Sequence, residues 1–259
     1  MLGHEVVGSG PLGVIVLNDW ISDTSSWSDA RRYLDDASFT WAFTDVRGYG
    51  RSLDQQGKFD IGEIASDVLA LADSLGWQRF AVVGHSMTCL AALHLAQREP
   101  RRIERAVVLT PTPPAGLGFD DATFAALTGV SRGDDAARLG TLNAMWGDRL
   151  SEGWVSFKLA RWRATSTPEA VARYLAMFAR DGLPDRTTRI TPPVLAVTGE
   201  RDAEPMRQAQ VAALLGPLCE RLTVAPLADV GHYPMQEAPP LLVTIVERFL
   251  RQPARQAVG

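Results

Sequence analysis

The sequence predicts an α/β fold, a doubly wound and mostly parallel sheet with a helical cap inserted into it. Short β-branched runs alternate with longer amphipathic stretches, and the runs are continuously apolar. Continuous apolar runs are typical of parallel strands covered on both faces, and their alternation with helices is typical of right-handed crossovers. One long break in this alternation, between Leu109 and Val194, predicts the insertion.

Six apolar runs are predicted strands, at residues 14–17, 40–44, 80–83, 106–109, 194–197 and 221–224. Residues 61–75 carry an apolar stripe at helical spacing, which predicts an amphipathic helix. A final helix is expected near Pro239 to Leu250, followed by an irregular tail from about Gln252.

The insertion opens with the helix-breaking Pro111-Thr112-Pro113-Pro114 and then contains helix-like segments of its own. Thr167 followed by Pro168 is typical of a helix start, with the threonine as N-cap and the proline in the first turn. We therefore expect an α/β core domain over residues 1–111 and 190–259, and a helical cap over residues 112–189.

Composition excludes several classes of protein. The 259 residues carry a net charge of -4 with mixed signs along the chain, so no basic face is expected for nucleic acid. Cys89 and Cys219 stand in apolar surroundings and are expected to be buried free thiols, which suits a reducing compartment. No signal-peptide pattern and no apolar run of membrane-spanning length occurs, so we expect a cytoplasmic protein without a membrane partner.

The strongest local motif is Gly84-His85-Ser86-Met87-Thr88, where a buried strand runs directly into a helix of small residues. Such a turn forces its tip residue into a strained conformation and exposes the side chain above the sheet. It would place the Ser86 hydroxyl at a helix N-terminus, where developing negative charge is favoured. The motif predicts a nucleophilic serine; an ordinary serine N-cap is the alternative.

A serine needs a base, and the chain has four histidines. His85 adjoins the serine, so its side chain should point elsewhere, while His4 and His94 are expected to be structural or surface groups. His232 lies in a turn after the last predicted strand, at the sheet edge where α/β folds gather their sites. It is the predicted base.

The base in turn needs an anion that holds its tautomer. Asp202 follows the strand at 194–197 and is the predicted partner of His232. A helix cap ahead of Pro205 is the alternative role for Asp202, and Glu200 is a weaker substitute candidate.

We call the strand–turn–helix motif at residues 84–88 the elbow. With this elbow and with Ser86, Asp202 and His232 in that order along the chain, the sequence resembles the α/β-hydrolase superfamily over essentially its whole length. The segments at residues 5–11 and 45–52 also resemble the family's first-strand approach and an architectural turn. The resemblance implies acyl transfer to water through an acyl-enzyme. A serine at the elbow disfavours epoxide hydrolases and dehalogenases, which resemble each other in using aspartate there.

The family pattern implies an oxyanion hole made by the backbone N–H groups of Met87 and Trp20. The chain departs from that pattern in two places. Asn18-Asp19 stands where relatives have His-Gly, so a sharp turn must be made without glycine and Asp19 should point away from the oxyanion. Thr88 stands at another glycine position, so we expect a small residue opposite it.

The substrate is predicted coarsely from aromatic residues of the insertion, which favour a small molecule with an apolar or aromatic group. Nothing in the sequence indicates a cofactor or a metal site, and the oligomeric state stays open. Arginines 161, 163 and 173 are expected to be solvated. The candidate pocket residues are Trp146, Trp154, Phe157 and Trp162.

Two rival functions remain. A carbon–carbon bond hydrolase or cofactor-free oxygenase would keep the fold and use His232 on an activated ketone or ring, with Ser86 less essential. A ligand receptor that barely turns over would keep the fold and pocket alone, and the complete set of Ser86, His232 and Asp202 argues against it.

Overall fold

The computed structural model describes residues 1–147 and 149–252. Within them lie the strands β1 (His4–Gly8), β2 (Leu12–Leu17), β3 (Phe39–Thr44), β4 (Phe80–His85), β5 (Ile103–Leu109), β6 (Val194–Gly199) and β7 (Leu222–Leu227). They form one sheet in the order β1-β3-β2-β4-β5-β6-β7. Strand β1 is antiparallel to β3, and the other neighbouring pairs are parallel. The predicted doubly wound, mostly parallel sheet is confirmed.

Five of the six predicted runs lie within β2 to β6, and the run at residues 221–224 begins one residue before β7. Strand β1 was not among those runs, because its residues are only partly buried at the sheet edge and lack a continuous apolar pattern. At the opposite edge β7 contains Pro226, which an edge strand tolerates because one side of its backbone pairs with no neighbour.

The helices are α1 (Ile61–Ser74), α2 (Cys89–Arg98), α3 (Asp121–Ser131), α4 (Asp135–Leu142), α5 (Glu152–Thr165), α6 (Pro168–Ala176), α7 (Gln208–Leu215), α8 (Pro234–Glu237) and α9 (Pro239–Leu250). Helix α1 buries its predicted apolar stripe. Helix α6 begins at Pro168, and the Thr167 hydroxyl accepts the Ala170 N–H at 3.2 Å, as predicted. None of the described helices could cross a membrane.

The predicted final helix is confirmed as α9, while most of the predicted tail, residues 253–259, lies outside the described residues. Both cysteines are free and buried, as predicted. Cys89 opens α2, where burial raises the pKa of its thiol.

Helices α3 to α6 all lie between β5 and β6, in residues 112–189, which we call the helical segment. Within it α3 packs on α6, and α4 packs on α5. Because β2 to β7 run parallel, their carboxyl ends share one edge of the sheet. The loops that follow β2, β4, β6 and β7 at this edge carry the residues considered next.

Candidate active site

The turn after β4 holds Ser86 in a left-handed backbone conformation, with φ of 52°. Few residues other than glycine adopt this region, and such strain is typical of functional positions. A short 3-10 turn, Ser86–Thr88, then leads into α2. Gly84 permits the close approach, since a Cβ there would lie 2.6 Å from the Thr88 carbonyl oxygen. The strained elbow is present, but Ser86 is only 8% exposed, in contrast to the open position expected.

His232 and Asp202 meet across the loops that follow β7 and β6. The His232 Nδ1 donates to the Asp202 carboxylate, at 2.9 Å from Oδ2 and 3.1 Å from Oδ1. Both residues are buried. Burial acts to lower the pKa of His232, but the adjacent Asp202 charge and hydrogen bond outweigh it and raise that pKa. The pair therefore has the geometry of a base oriented by a carboxylate.

The Asp202 Oδ1 also accepts the Ala203 N–H at 2.7 Å. Asp202 does not have the alternative role of a helix cap, because the N-cap of the 3-10 turn Glu204–Met206 is Ala203 and no side chain caps this turn. Glu200 is exposed and accepts the Asp229 N–H at 3.3 Å, so the structure brings Asp202, and not Glu200, to His232.

His85, directly before Ser86, connects the elbow to the His232 loop. Its Nε2 donates to the His232 carbonyl oxygen at 2.7 Å, and the two rings lie 5.2 Å apart. The Thr110 hydroxyl donates to the same carbonyl at 3.2 Å. Burial lowers the pKa of His85 to about 4, so its imidazole is neutral near pH 7. This contact brings the elbow and the His232 loop to the same place.

The loop after β2, residues 18–23, is called the β2 loop. Its Asn18 side chain donates to the Asp19 and Ser22 carbonyl oxygens, both at 2.9 Å, and accepts the Val46 N–H at 2.8 Å. Neither Asn18 nor Asp19 has a positive φ, so the sharp turn expected here is made without left-handed backbone at these two residues. Side-chain hydrogen bonds from Asn18 stabilise the turn instead.

Thr88 holds the β2 loop against the elbow. Its hydroxyl accepts the His85 N–H at 3.0 Å and donates to the Asn18 carbonyl oxygen at 2.9 Å. The sequence predicts only steric crowding for a β-branched residue here. The structure shows in addition a polar contact that a glycine could not make.

Trp20 is buried beside the same turn, and its Nε1 donates to the Val171 carbonyl oxygen of α6 at 2.8 Å. The Trp20 carbonyl oxygen accepts the Tyr49 hydroxyl. Tyr49 belongs to the turn at residues 45–52, so that turn supports the β2 loop. Asp45 of the same turn accepts the Thr24 N–H, directly after the β2 loop, at 2.8 Å.

Lys158 was not among the residues predicted for the site. It lies on α5 with no exposed surface, and its Nζ is 3.5 Å from the Asp19 Oδ2. The Asp19 Oδ2 lies 3.7 Å from the His85 Nδ1. One signal could have found it: Lys158 is four residues from both Trp154 and Trp162, and therefore shares their face of the helix.

Three of the four predicted pocket residues contact the site. Trp146 stacks on His232, with ring centroids 5.8 Å apart and planes at 23°. Trp154 packs against Tyr233 at 5.3 Å, and Trp162 against Trp20 at 6.0 Å. The remaining candidate, Phe157, is 40% exposed.

The arginines of the helical segment differ from one another. Arg161 was expected to be solvated, but it forms an ion pair with Asp23 of the β2 loop. Arg163 is more exposed and pairs with Asp135 at 3.2 Å, and Arg173 is exposed, as expected. In residues 1–147 and 149–252, no cluster of three or more His, Cys, Asp or Glu side chains is arranged to hold a metal ion.

Comparison with known proteins supports this architecture. A pimeloyl-[acyl-carrier protein] methyl ester esterase of Nitrosospira multiformis is 24% identical over 260 residues, covering 95% of this chain and 97% of the relative. The enol-lactonase structure from Burkholderia xenovorans has a TM-score of 0.81 at 24% identity, covering 97% of this chain and 96% of the other.

A bromoperoxidase structure from Bacillus anthracis has a TM-score of 0.82 at 21% identity, with 96% and 95% of the two chains covered. At such identities both structures show a shared fold. The family model of the alpha/beta hydrolase family matches residues 14–244 of this chain. The chain therefore belongs to the alpha/beta hydrolase family of enzymes.

Proposed function

We propose that this enzyme is a serine hydrolase that cleaves a small or medium carboxylic ester or lactone. Ser86 is the nucleophile, His232 the general base and Asp202 the group that orients it. The observation that carries the proposal is the His232–Asp202 hydrogen bond of 2.9 Å, in a loop bonded to the residue before the strained Ser86. Relatives named as methyl ester esterase and enol-lactonase support the substrate class.

In this reaction the Ser86 Oγ attacks the carbonyl carbon while its proton moves to the His232 Nε2. His232 then gives that proton to the leaving oxygen as the C–O bond breaks, which leaves an acyl-enzyme. A water molecule attacks the acyl group, its proton passes to His232, and the carboxylic acid leaves as Ser86 recovers its proton. Asp202 stabilises the imidazolium at each stage.

The tetrahedral oxyanion accepts hydrogen bonds from the backbone N–H groups of Met87 and Trp20 in this proposal. Met87 lies in the first turn of the elbow helix, where N–H groups lack intrahelical partners. Thr88 supports the second donor, because it bonds the elbow to the Asn18 carbonyl of the β2 loop.

Residues 112–189 act as a cap over a core of residues 1–111 and 190–259. The contacts of Trp146 with His232 and of Trp162 with Trp20 support this division. An apolar or aromatic acyl group would pack beside Trp146, Trp154 and Trp162. Phe157 is left out of the pocket because of its exposure.

The test uses a panel of p-nitrophenyl esters of increasing acyl length, lactones and ring-cleavage ketones, with a fluorophosphonate probe. Ser86→Ala should lower ester turnover by at least about 10³-fold and abolish labelling. Ser66→Ala, an exposed serine on α1, is the matched control and should retain both. Undiminished turnover of ketones or rings by Ser86→Ala would favour the carbon–carbon hydrolase or oxygenase, and absent labelling of the wild-type protein would favour a receptor.

A further inference from the structure

Lys158 and Asp19 form a buried ion pair between helix α5 and the β2 loop. The Lys158 Nζ is 3.5 Å from the Asp19 Oδ2 and lies 3.9 Å from the centroid of the Tyr233 ring. Neither side chain is more than 2% exposed. Burying such a pair costs free energy, and removing one partner leaves an uncompensated charge. A pair retained at this position therefore calls for an explanation beyond stability.

The two oxygens of Asp19 have different partners. Its Oδ1 accepts the Ile21 N–H at 3.2 Å and so closes a turn around Trp20, while its Oδ2 faces Lys158. One helical turn further along α5, Arg161 pairs with Asp23. Two cations of α5 thus contact two carboxylates of the β2 loop, and these carboxylates lie on either side of Trp20 in the sequence.

We propose that Lys158 is a positioning residue for acyl transfer: it holds Asp19, neutralises the Asp19 charge and thereby keeps the Trp20 N–H able to stabilise the oxyanion. This inference rests on the proposed function. A glycine at position 19 would carry no charge and would need no such partner, whereas a buried carboxylate beside a developing oxyanion opposes that oxyanion.

The same pair acts on the base. Asp202 bonds His232, the rings of His85 and Tyr233 pack against it, and the charges of Asp19 and Lys158 also act on it. Burial lowers the pKa of His232 and Asp202 raises it; Asp19 raises it further, and Lys158 lowers it. Removing Lys158 should therefore raise the pKa of His232, and removing Asp19 should lower it. A role in folding alone would not produce these opposite shifts.

The experiment compares Lys158→Met, Asp19→Asn and the double variant with the wild-type enzyme on the best ester of the panel. Lys158→Met should lower kcat about 10–100-fold with little change in KM. The reason is that the Trp20 N–H is displaced and the unpaired Asp19 charge opposes the oxyanion. Asp19→Asn keeps the acceptor for Ile21 but not the charge, so the double variant should recover most of the lost kcat.

The acidic limb of the pH profile of kcat/KM should move to higher pH in Lys158→Met and to lower pH in Asp19→Asn. In the double variant it should return toward the wild-type position. Arg163→Met, which removes an exposed cation from the same helix, should leave kcat and the limb unchanged. If Lys158→Met does not fold, Asp19→Asn alone decides by the direction of its limb.

Wild-type kcat and an unmoved limb in a folded Lys158→Met would overturn the inference, as would an unmoved limb in Asp19→Asn. These results leave the proposed function intact provided that Ser86→Ala is inactive. Activity in Ser86→Ala would instead overturn the proposed function itself.

Discussion

His85 donates a hydrogen bond from Nε2 to the carbonyl oxygen of His232, over 2.7 Å between two buried residues. One partner directly precedes the strained Ser86, and the other carries the imidazole bonded to Asp202. Because the carbonyl can only accept, the His85 proton is on Nε2. A neutral imidazole of one tautomer thus connects the loops that follow β4 and β7.

The first prediction concerns the stability of this contact at acid pH. Burial lowers the pKa of His85 from 6.5 to about 4, so between these values the unfolded chain binds more protons and folding stability rises with pH. The stabilisation is complete above pH 6.5 and is lost toward pH 4. By linkage it amounts to about 3 kcal/mol.

His85→Gln keeps an amide donor for the His232 carbonyl but does not titrate. We expect the difference in unfolding free energy between pH 7 and about pH 4.5, measured with urea, to be smaller in this variant than in the wild type. Equal losses of stability in the two proteins would contradict the prediction.

The second prediction concerns Asp202. Asp202→Asn should reduce kcat by about 10⁴-fold, because an amide cannot hold the Nδ1–H tautomer of His232 or stabilise its imidazolium. Since the carboxylate raises the pKa of His232, the acidic limb of the residual kcat/KM should shift to lower pH. Steady-state rates across the pH range measure both effects.

Glu200→Gln is the control for Asp202→Asn, since Glu200 is exposed on the same loop and bonds Asp229. This variant should retain the wild-type kcat and pH profile. If Glu200→Gln were the impaired variant, the carboxylate that serves His232 would have been misassigned.

The third prediction concerns Thr88. Thr88→Val removes the hydroxyl that joins His85 to Asn18 and leaves a buried N–H and a buried carbonyl without this partner. Each unsatisfied group costs about 1–3 kcal/mol, so unfolding free energy should fall measurably in urea titrations. Ester turnover should fall as well, because the β2 loop loses a contact with the elbow.

Thr88→Ser retains the hydroxyl and removes only a methyl group. It should therefore stay closer to the wild type than Thr88→Val in both stability and turnover. The opposite order would show that the methyl group, and not the hydrogen bonds, is what matters at this position.

Much of the fold follows from local patterns. Continuous apolar runs predict β2 to β7, because a strand covered on both faces needs apolar residues at successive positions. The Thr167–Pro168 start of α6 is predicted by capping chemistry within four residues. The edge strand β1 is not marked by a continuous apolar run, because its residues are only partly buried.

Taken alone, the sequence determined the sheet, the strained turn at Ser86 and the pairing of Asp202 with His232, because these depend on short-range patterns and on which loops share a sheet edge. Tertiary structure alone decided that Lys158 meets Asp19, across 139 positions of the chain. That contact depends on how helix α5 is rotated about its axis where it packs on the β2 loop. This rotation arises from the packing of many side chains at once, which no local spacing encodes.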